Sequence, residues 1–376
     1  MTGRPVRTRS GELSVAVASV QMLAPCLRQL PSANFDISHK RYQRRYLDFM
    51  INQKSRNVIK TRARVISYIR RFLEDRDFLE VETPILSDRL GGATARPFFT
   101  WHNEMGKELS MRIAPELYLK QLVIGGFDRV FEIGKLFRNE GVDQTHNPEF
   151  TSCEFYQAYA DYNDLILLTE ELLSGMVESL ELSPSHNNTA LKLTESFDKV
   201  EFIPSLESAT NRTFPGPEDL ASTESLTFLR SLCTEQGISL EGQVITVPRL
   251  LDKLMGRLVE PELVQPTFLL HHPLVMSPLA KEHRSLPGLA ERFELFIGGR
   301  EVANAYTELN DPDLQRLALA SQSVSDDPEA MLPDEDYCRA LEYGLPPTAG
   351  WGAGLDRLVM TLTDSPSIRD VITFPL

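Results

Sequence analysis

The chain has 376 residues, 42% of them hydrophobic and 24% charged, enough for one large core or two modest ones. With 39 Lys and Arg against 53 Asp and Glu, its formal charge of −14 excludes a non-specific polyanion binder, so any nucleic-acid partner must find a local basic surface. No apolar run is long enough to span a bilayer, and the 4 cysteines (Cys26, Cys153, Cys233, Cys338) contain no C-x-x-C pair of the kind that holds zinc, which suits a reducing compartment.

Residues 1–37 contain GELSVAVASVQML, an alternating β-rich run closed by Pro25 and Pro31. The stretch is too short for a domain and is expected to be the closing part of one. Residues 41–48, dense in Arg and Tyr, predict a helical turn leading into a long helix. There Val58, Ile59, Val65, Ile66, Ile69, Phe72 and Leu73 share one face, opposite Lys60, Arg64, Arg70 and Arg71. The helix should end at Asp77, with FLEVETPIL following as a strand to Pro84. β-patterned segments then alternate with short helices to about residue 175. Residues 176–245 show less pattern and read as an insertion, to about residue 265, between two halves of a sheet. Residues 266–310 are β-rich again, and 312–342 look helical and polar. TAGWGAGLDRLVMTLTDS reads as a Gly-rich strand running into an amphipathic helix. There is no internal repeat. Strands joined mainly by hairpins, with helices gathered apart, predict an α+β fold on an antiparallel sheet.

Three segments carry chemistry. In DRVFEIGKLFRNEGVDQTHNPEFTSCEFYQAYADY, two β arms flank a polar loop from Gly141 to Glu149. Strand parity gives Glu132, Gly134, Leu136, Arg138 and Glu140 one face, and Phe150, Ser152, Glu154 and Tyr156 another. If the faces coincide, they offer an arginine for phosphate, a phenylalanine for a purine and a carboxylate for an ammonium group. The same residues would also suit a solvated sheet face with ordinary ion pairs. In RFELFIGGREVANAYTEL, Gly298-Gly299 is a hairpin signal. Folding there sets Phe296 opposite Glu301 and Glu294 opposite Ala303, so Glu294 and Glu301 become diagonal neighbours able to share a Mg²⁺ ion. An exposed pair of glutamates is the plain alternative. Asn304 and Glu308 have the wrong parity and need a bulge or a strand end to join them. In GWGAGLDR, three glycines allow close approach, and Arg357 in the first helical turn is misplaced against the helix dipole unless an anion or a nearby Glu meets it. No P-loop or G-x-G-x-x-G motif is present. His271-His272, Asp334-Glu335-Asp336 and Trp351 read as packing or solvated residues.

Taken together, the segments resemble the three signature motifs of class II aminoacyl-tRNA synthetases. FLEVETPIL resembles motif 1, FRNEGVDQTHNPEF with CEFYQAYADY motif 2, and GWGAGLDR motif 3. GGATARPF, RIAPELYLKQLVIGGFDRVFEIG and PPTAGWGAGLDRLVMTLTDSPSIRDVITFP are similar to the lysyl-tRNA synthetases in particular, and the likeness covers about residues 38–376. It implies a class II synthetase-type antiparallel sheet flanked by helices, preceded over residues 1–37 by the remnant of an OB-fold anticodon-binding barrel. It further implies ATP held by Arg138, Glu140, His146, Phe150 and Arg357, with Phe150 stacked on adenine and Arg138 and Arg357 as the catalytic pair. Mg²⁺ would sit on Glu294 and Glu301, and L-lysine among Gly92, Glu116, Glu154, Tyr156, Asn304 and Glu308. The partners implied are L-lysine, tRNA(Lys) and a second copy of the chain across the region of Pro84, with no membrane. Two competing readings are a ligase that attaches lysine to a protein and a non-catalytic paralogue acting as a binding module. The incomplete front puts anticodon recognition in doubt. Arg4, Arg7 and Arg9 lack the amphipathic pattern of a transit peptide. The wording of motif 3 and the insertion nevertheless resemble organellar or bacterial-type enzymes, so a mitochondrial location is expected, with a cytoplasmic one as the alternative.

Overall fold

The computed structural model describes residues 1–31, 38–87, 92, 93, 95–241, 244–323 and 334–376, with backbone alone at 38–40 and 323. The expected boundary at residue 37, part of the GGATARPF motif, and residues 324–333 of the expected helical stretch lie outside the described residues. Two compact units are present, Met1–Gln53 and Lys54–Leu376. In the first, β1 (Thr2–Arg7) and β2 (Leu13–Ser19) pair antiparallel, with Arg4 opposite Ala16. The alternating run does form a strand, but among the described residues it belongs to a two-stranded sheet, not a barrel. Helices α1 (Ser38–Gln43) and α2 (Arg45–Ile51) follow, the latter holding a buried Arg45–Asp48 ion pair at 2.5 Å.

In the second unit, α3 (Gln53–Glu74) buries Val58, Val65, Ile69, Phe72 and Leu73, the face its spacing predicts. It ends where Asp77 takes φ 62° and the Phe78 N–H turns back to the Leu73 carbonyl. The expected FLEVETPIL strand is broken, pairing only at β3 (Leu79–Glu80) and β4 (Leu86–Ser87). Between them the Thr83 N–H and hydroxyl donate to the Glu132 carboxylate, and Pro84 has no N–H to offer a ladder. A small sheet of β4, β5 (Phe99–His102) and β6 (Lys107–Met111) precedes α4 (Glu116–Ile124). Next come β7 (Arg129–Phe137), β8 (Glu149–Ala158) and α5 (Tyr162–Leu180), whose start is closed by an Asp161/Asp164 capping box.

The stretch that reads as unpatterned is mostly helical. After a two-residue hairpin of β9 (Ser185–His186) and β10 (Thr189–Ala190), β11 (Asp198–Glu201) leads to α6 (Phe202–Thr210), α7 (Thr223–Glu235) and α8 (Val247–Leu258). Phe202, Leu206, Leu229, Leu232, Leu251 and Leu254 form a separate core there, closed on Leu269 and Phe296 at the sheet. The remaining elements are β12 (Thr267–Leu270), β13 (Arg292–Phe296), β14 (Glu301–Thr307), α9 (Pro312–Ser323), α10 (Glu335–Leu341), β15 (Thr348–Gly354), α11 (Leu355–Leu362) and α12 (Ile368–Val371).

The main sheet has 8 strands in the order β11-β12-β13-β14-β15-β8-β7-β3. It is antiparallel, as expected, except at its edges, where β11 with β12 and β3 with β7 are parallel and make the sheet mixed. Each parallel pair needs a long crossover, supplied by α6–α8 on one side and by the small sheet with α4 on the other. On one face α3, α5 and α11 bury Val65, Ile69, Leu165 and Leu358 against Phe155, Phe293 and Trp351. Burying a side chain such as Phe155 contributes roughly 1.5–3 kcal/mol, so this face fixes the strands. The opposite face is partly covered by α4, α9 and α10 through Leu117, Leu319 and Tyr337, and it carries the site.

Candidate active site

Period-two alternation lays the site residues on that second face. Between β7 and β8, Leu136 lies opposite Phe150, Glu132 opposite Glu154 and Val130 opposite Tyr156, so the two predicted faces coincide. Across β15, Gly352 lies between Glu154 and Asn304, and Gly350 between Tyr156 and Tyr306. These glycines leave the floor open. A β-carbon on Gly350 would clash with Glu308 Oε1 and the Tyr156 ring. β7 itself stops at Phe137, and Arg138 and Glu140 follow it into the loop.

The β13–β14 hairpin corrects the expected register. Phe296 does pair with Glu301, but Glu294 meets Asn304 in place of Ala303, because a bulge inserts one residue on β14. The bulge reverses parity, so Glu301 before it and Asn304 and Tyr306 after it all face the cavity.

The cavity measures ≈ 400 Å³, and Gly92, Glu116, Arg138, Glu140, His146, Phe150, Glu154, Tyr156, Glu294, Glu301, Asn304 and Arg357 all line it. Of the expected site residues only Glu308 stands behind the lining, fully buried. Gly92 sits at φ 86°, a conformation that favours glycine, with the space for its β-carbon already bounded by Ala114 and Glu116.

The arginines form one part. Arg138 packs its guanidinium 5.3 Å from the Phe150 ring centre, with Nε buried and without a hydrogen-bond partner. Burial pulls its pKa down, and Arg357 adds to this against Glu140, Glu301 and Glu154. Arg357 opens α11, a helix start fixed by Asp356, which pairs with Arg62 and accepts the Thr151 N–H at 2.6 Å. Arg357 reaches Glu301 at 3.1 Å and donates to His146 Nε2 at 2.9 Å. The Asp143 carboxylate shapes the loop by accepting from the Thr145 and His146 N–H groups and from His146 Nδ1. That tautomer leaves His146 Nε2 free to accept from Arg357. Burial works against the charge on Asp143, but these hydrogen bonds, led by Thr145, hold its pKa at about 2.

The acid pair forms a second part. Glu294 accepts from Arg292 at 2.6 Å and lies 3.2 Å from His272 Nε2. Burial opposes its ionisation, but His272 and Arg292 outweigh burial and hold the carboxyl at about 2. Burial also lowers the His272 pKa, so the permanent guanidinium of Arg292 is the dependable counter-charge. Burial and then Glu294 raise the pKa of Glu301. Two hard oxygen donors, the ionised Glu294 raising the proton affinity of Glu301, suit a divalent cation carrying phosphate, and the residues present fit Mg²⁺.

The third part is a nest of buried carboxylates. Glu116 accepts from Lys120 and from the Tyr306 hydroxyl, each at 2.6 Å. Glu308 accepts from Lys120 through Oε2 at 2.6 Å, while its Oε1 is buried without a partner. Among the described residues Glu154 has only the Tyr156 hydroxyl, at 3.4 Å. Burial raises Glu154 to about 8, with Glu116 adding to it. Burial likewise raises Glu308 to about 8, although Lys120 opposes the shift. Such a nest has room and charge for an ammonium group.

Sequence reasoning missed Arg292, Lys120, Tyr306 and His272 as parts of the site. Arg292 had a readable signal, standing two residues before Glu294 on the same strand face. Lys120 stands four residues after Glu116, a spacing it shares with ordinary surface pairs on helices.

A mixed sheet with arginines, an acid pair and a carboxylate nest in one cavity on its open face defines the class II aminoacyl-tRNA synthetase catalytic domain. The chain belongs to the family described as tRNA synthetases class II (D, K and N), which it matches over residues 38–376. Its relatives narrow this further. It is 52% identical to the probable cytoplasmic lysine–tRNA ligase of Encephalitozoon cuniculi (strain GB-M1), over 100% of this chain and 76% of that one. It is 48% identical to lysine–tRNA ligase cla4 of Cladosporium cladosporioides, over 100% of this chain and 66% of that one. It is also 48% identical to the lysine–tRNA ligase of Synechococcus sp. (strain CC9311), over 98% and 76% of the two.

Proposed function

We propose that this chain is a lysine–tRNA ligase, which activates L-lysine with ATP and passes it to the 3′ end of tRNA(Lys). The observation that carries the reading is a single cavity holding both a cationic and acidic set suited to a nucleoside triphosphate and a nest of three buried carboxylates suited to lysine. Aspartate or a neutral amide would leave those carboxylates unpaired, which is costly in a buried site.

A lysine carboxylate oxygen attacks the α-phosphorus of ATP, a new P–O bond forms, and the bond to pyrophosphate breaks with its electron pair. The terminal ribose hydroxyl of tRNA then attacks the carbonyl of lysyl-adenylate, and AMP leaves. No enzyme nucleophile is required. Arg138, whose buried Nε lacks a partner, would take the α-phosphate. Phe150 beneath it offers a face for adenine, with Glu140 and His146 at the rim. Arg357 in the first turn of α11 would take the γ-phosphate region. Glu294 and Glu301 would hold Mg²⁺, which supplies charge neutralisation on the triphosphate. Catalysis then rests on positioning and on charge fixed in advance. Glu116, Glu154 and Glu308 would receive the ammonium groups, and Tyr156, Asn304 and Gly92 would shape the space around them.

The chain is further read as a homodimer, supported by exposed apolar side chains near Pro84, namely Leu79, Ile85, Leu86, Phe99 and Trp101. A mitochondrial address rests on the resemblance in motif 3 and the insertion, and co-localisation of a tagged chain with a mitochondrial marker tests it. No described helix is long and apolar enough to cross a membrane.

The deciding experiment is ATP–pyrophosphate exchange with lysine, arginine or aspartate. Exchange with lysine alone, lowered roughly 10²–10³-fold by Arg138→Ala, is expected. No exchange by a folded chain with any of the three would refute adenylation.

A further inference from the structure

On the lysine-ligase reading of the cavity, one buried cation has no part yet. Lys120 lies one turn after Glu116 on α4 and is fully buried. Its Nζ is 2.6 Å from Glu116 Oε1 and 2.6 Å from Glu308 Oε2. The Tyr306 and Tyr337 rings stand 5.9 and 5.4 Å away. Burial alone would strip its proton, but Glu116 and Glu308 outweigh burial and hold its pKa well above that of an ordinary lysine. It is therefore a permanent charge within the nest.

We propose that Lys120 is a positioning residue that sets how many positive charges the pocket accepts: as a built-in ammonium it cancels one of the carboxylates Glu116, Glu154 and Glu308, leaving two negative charges for a substrate bearing two ammonium groups. Lysine carries that pair, one on its α-carbon and one at its side-chain end. Without Lys120, three buried carboxylates would face two ammonium groups, and an unpaired buried charge is expensive. With it, an amino acid whose side chain is neutral leaves one carboxylate uncompensated. Lys120 also selects the oxygen on offer. It occupies Oε2 of Glu308 and leaves Oε1, buried and unpartnered beside Gly350, as the free acceptor.

The ionisable groups around Lys120 are Glu116 on α4, Tyr306 on β14, Glu308 just past it and Tyr337 on α10. Glu154 and Tyr156 face the same nest from β8, with Arg138 and Glu132 acting on Glu154. In a chain lacking Lys120, lowering the pH would let one of these carboxyls take up a proton in place of the missing cation.

The test measures the lysine and ATP KM in pyrophosphate exchange from pH 6.5 to 8.5. The chains compared are the wild type, Lys120→Met, Glu308→Gln and the double variant. At pH 8.5, Lys120→Met should raise the lysine KM roughly tenfold or more while the ATP KM stays within about twofold. The gap should close toward pH 6.5. The double variant, again with two net negative charges, should bind lysine better than either single variant. If Lys120→Met fails to fold, the comparison of Glu308→Gln with the double variant still decides. A pH-independent loss in Lys120→Met, or a double variant no better than Glu308→Gln, would overturn the role given to Lys120. A wild-type chain without lysine-dependent exchange would instead overturn the ligase reading, and this inference with it.

Discussion

Glu154 and Glu308 are harder to ionise in the folded chain than in water, each rising from 4.5 to about 8. The empty protein therefore holds protons that the unfolded chain gives up at lower pH. The stability these two groups contribute is full below the ordinary carboxyl range and is lost as pH climbs through about 8. Without lysine, Tm should fall between pH 6 and 9 by something on the order of several °C, and saturating lysine should offset much of that loss. Lysine binding should tighten over pH 6 to 8 and release protons, read by calorimetry in two buffers of different ionisation enthalpy. Proton uptake on binding would contradict the site as described. At this scale much was legible in the sequence. The charge-bearing residues of motif 2 are visible because their parity puts them together, and Arg357 of motif 3 because it stands in the first turn of a helix. Lys120 and Tyr306 were hidden because their meaning lies in contacts with residues far along the chain, Lys120 with Glu308 and Tyr306 with Glu116.

Among the elements, the β13–β14 hairpin shows where reading stops. Gly298-Gly299 announces the turn, and both adopt positive φ as a two-residue turn requires. The bulge after it carries no comparable local mark, and it decides whether Asn304 and Glu308 belong to the site. Deleting Val302 should remove the bulge yet leave Asn304 opposite Glu294 and Tyr306 opposite Arg292, so lysine-dependent exchange should survive, with far-UV circular dichroism largely kept. Val302→Ala, which keeps the residue count, should cost roughly 1–3 kcal/mol of stability and leave the exchange chemistry in place. A folded deletion variant without exchange would show that the bulge itself, and not only the pairing it permits, is needed by the site. The helices within the insertion were missed for a different reason. They are short, and their start signals are single residues, Ser222 before α7 and Thr246 before α8, set within a Pro- and Ser-rich stretch. The FLEVETPIL strand was over-read because apolar alternation cannot show that Thr83 would bond to Glu132 in place of a neighbouring strand.

For the whole molecule, the apolar residues near Pro84 form one surface left open, Trp101 being 61% exposed and Phe99 54%. If two copies meet there, Trp101→Glu should move the sedimentation profile from dimer toward monomer, and an unchanged profile would remove that face from the interface. The division of labour between the two faces of the sheet reaches further. On β8 the even-numbered residues from Phe150 to Tyr156 line the cavity, whereas Cys153 and Phe155 lie in the core. On β15 the same holds for Gly350 and Gly352 against Ala349, Trp351 and Ala353. Substitution scored along these strands for cellular abundance and for growth on the enzyme's activity should therefore produce two interleaved stripes. Odd positions would lose protein, and even positions would lose activity while protein remains. On β14 the stripe should change phase at the bulge, which would make a strand register visible in a living population without any structure at all.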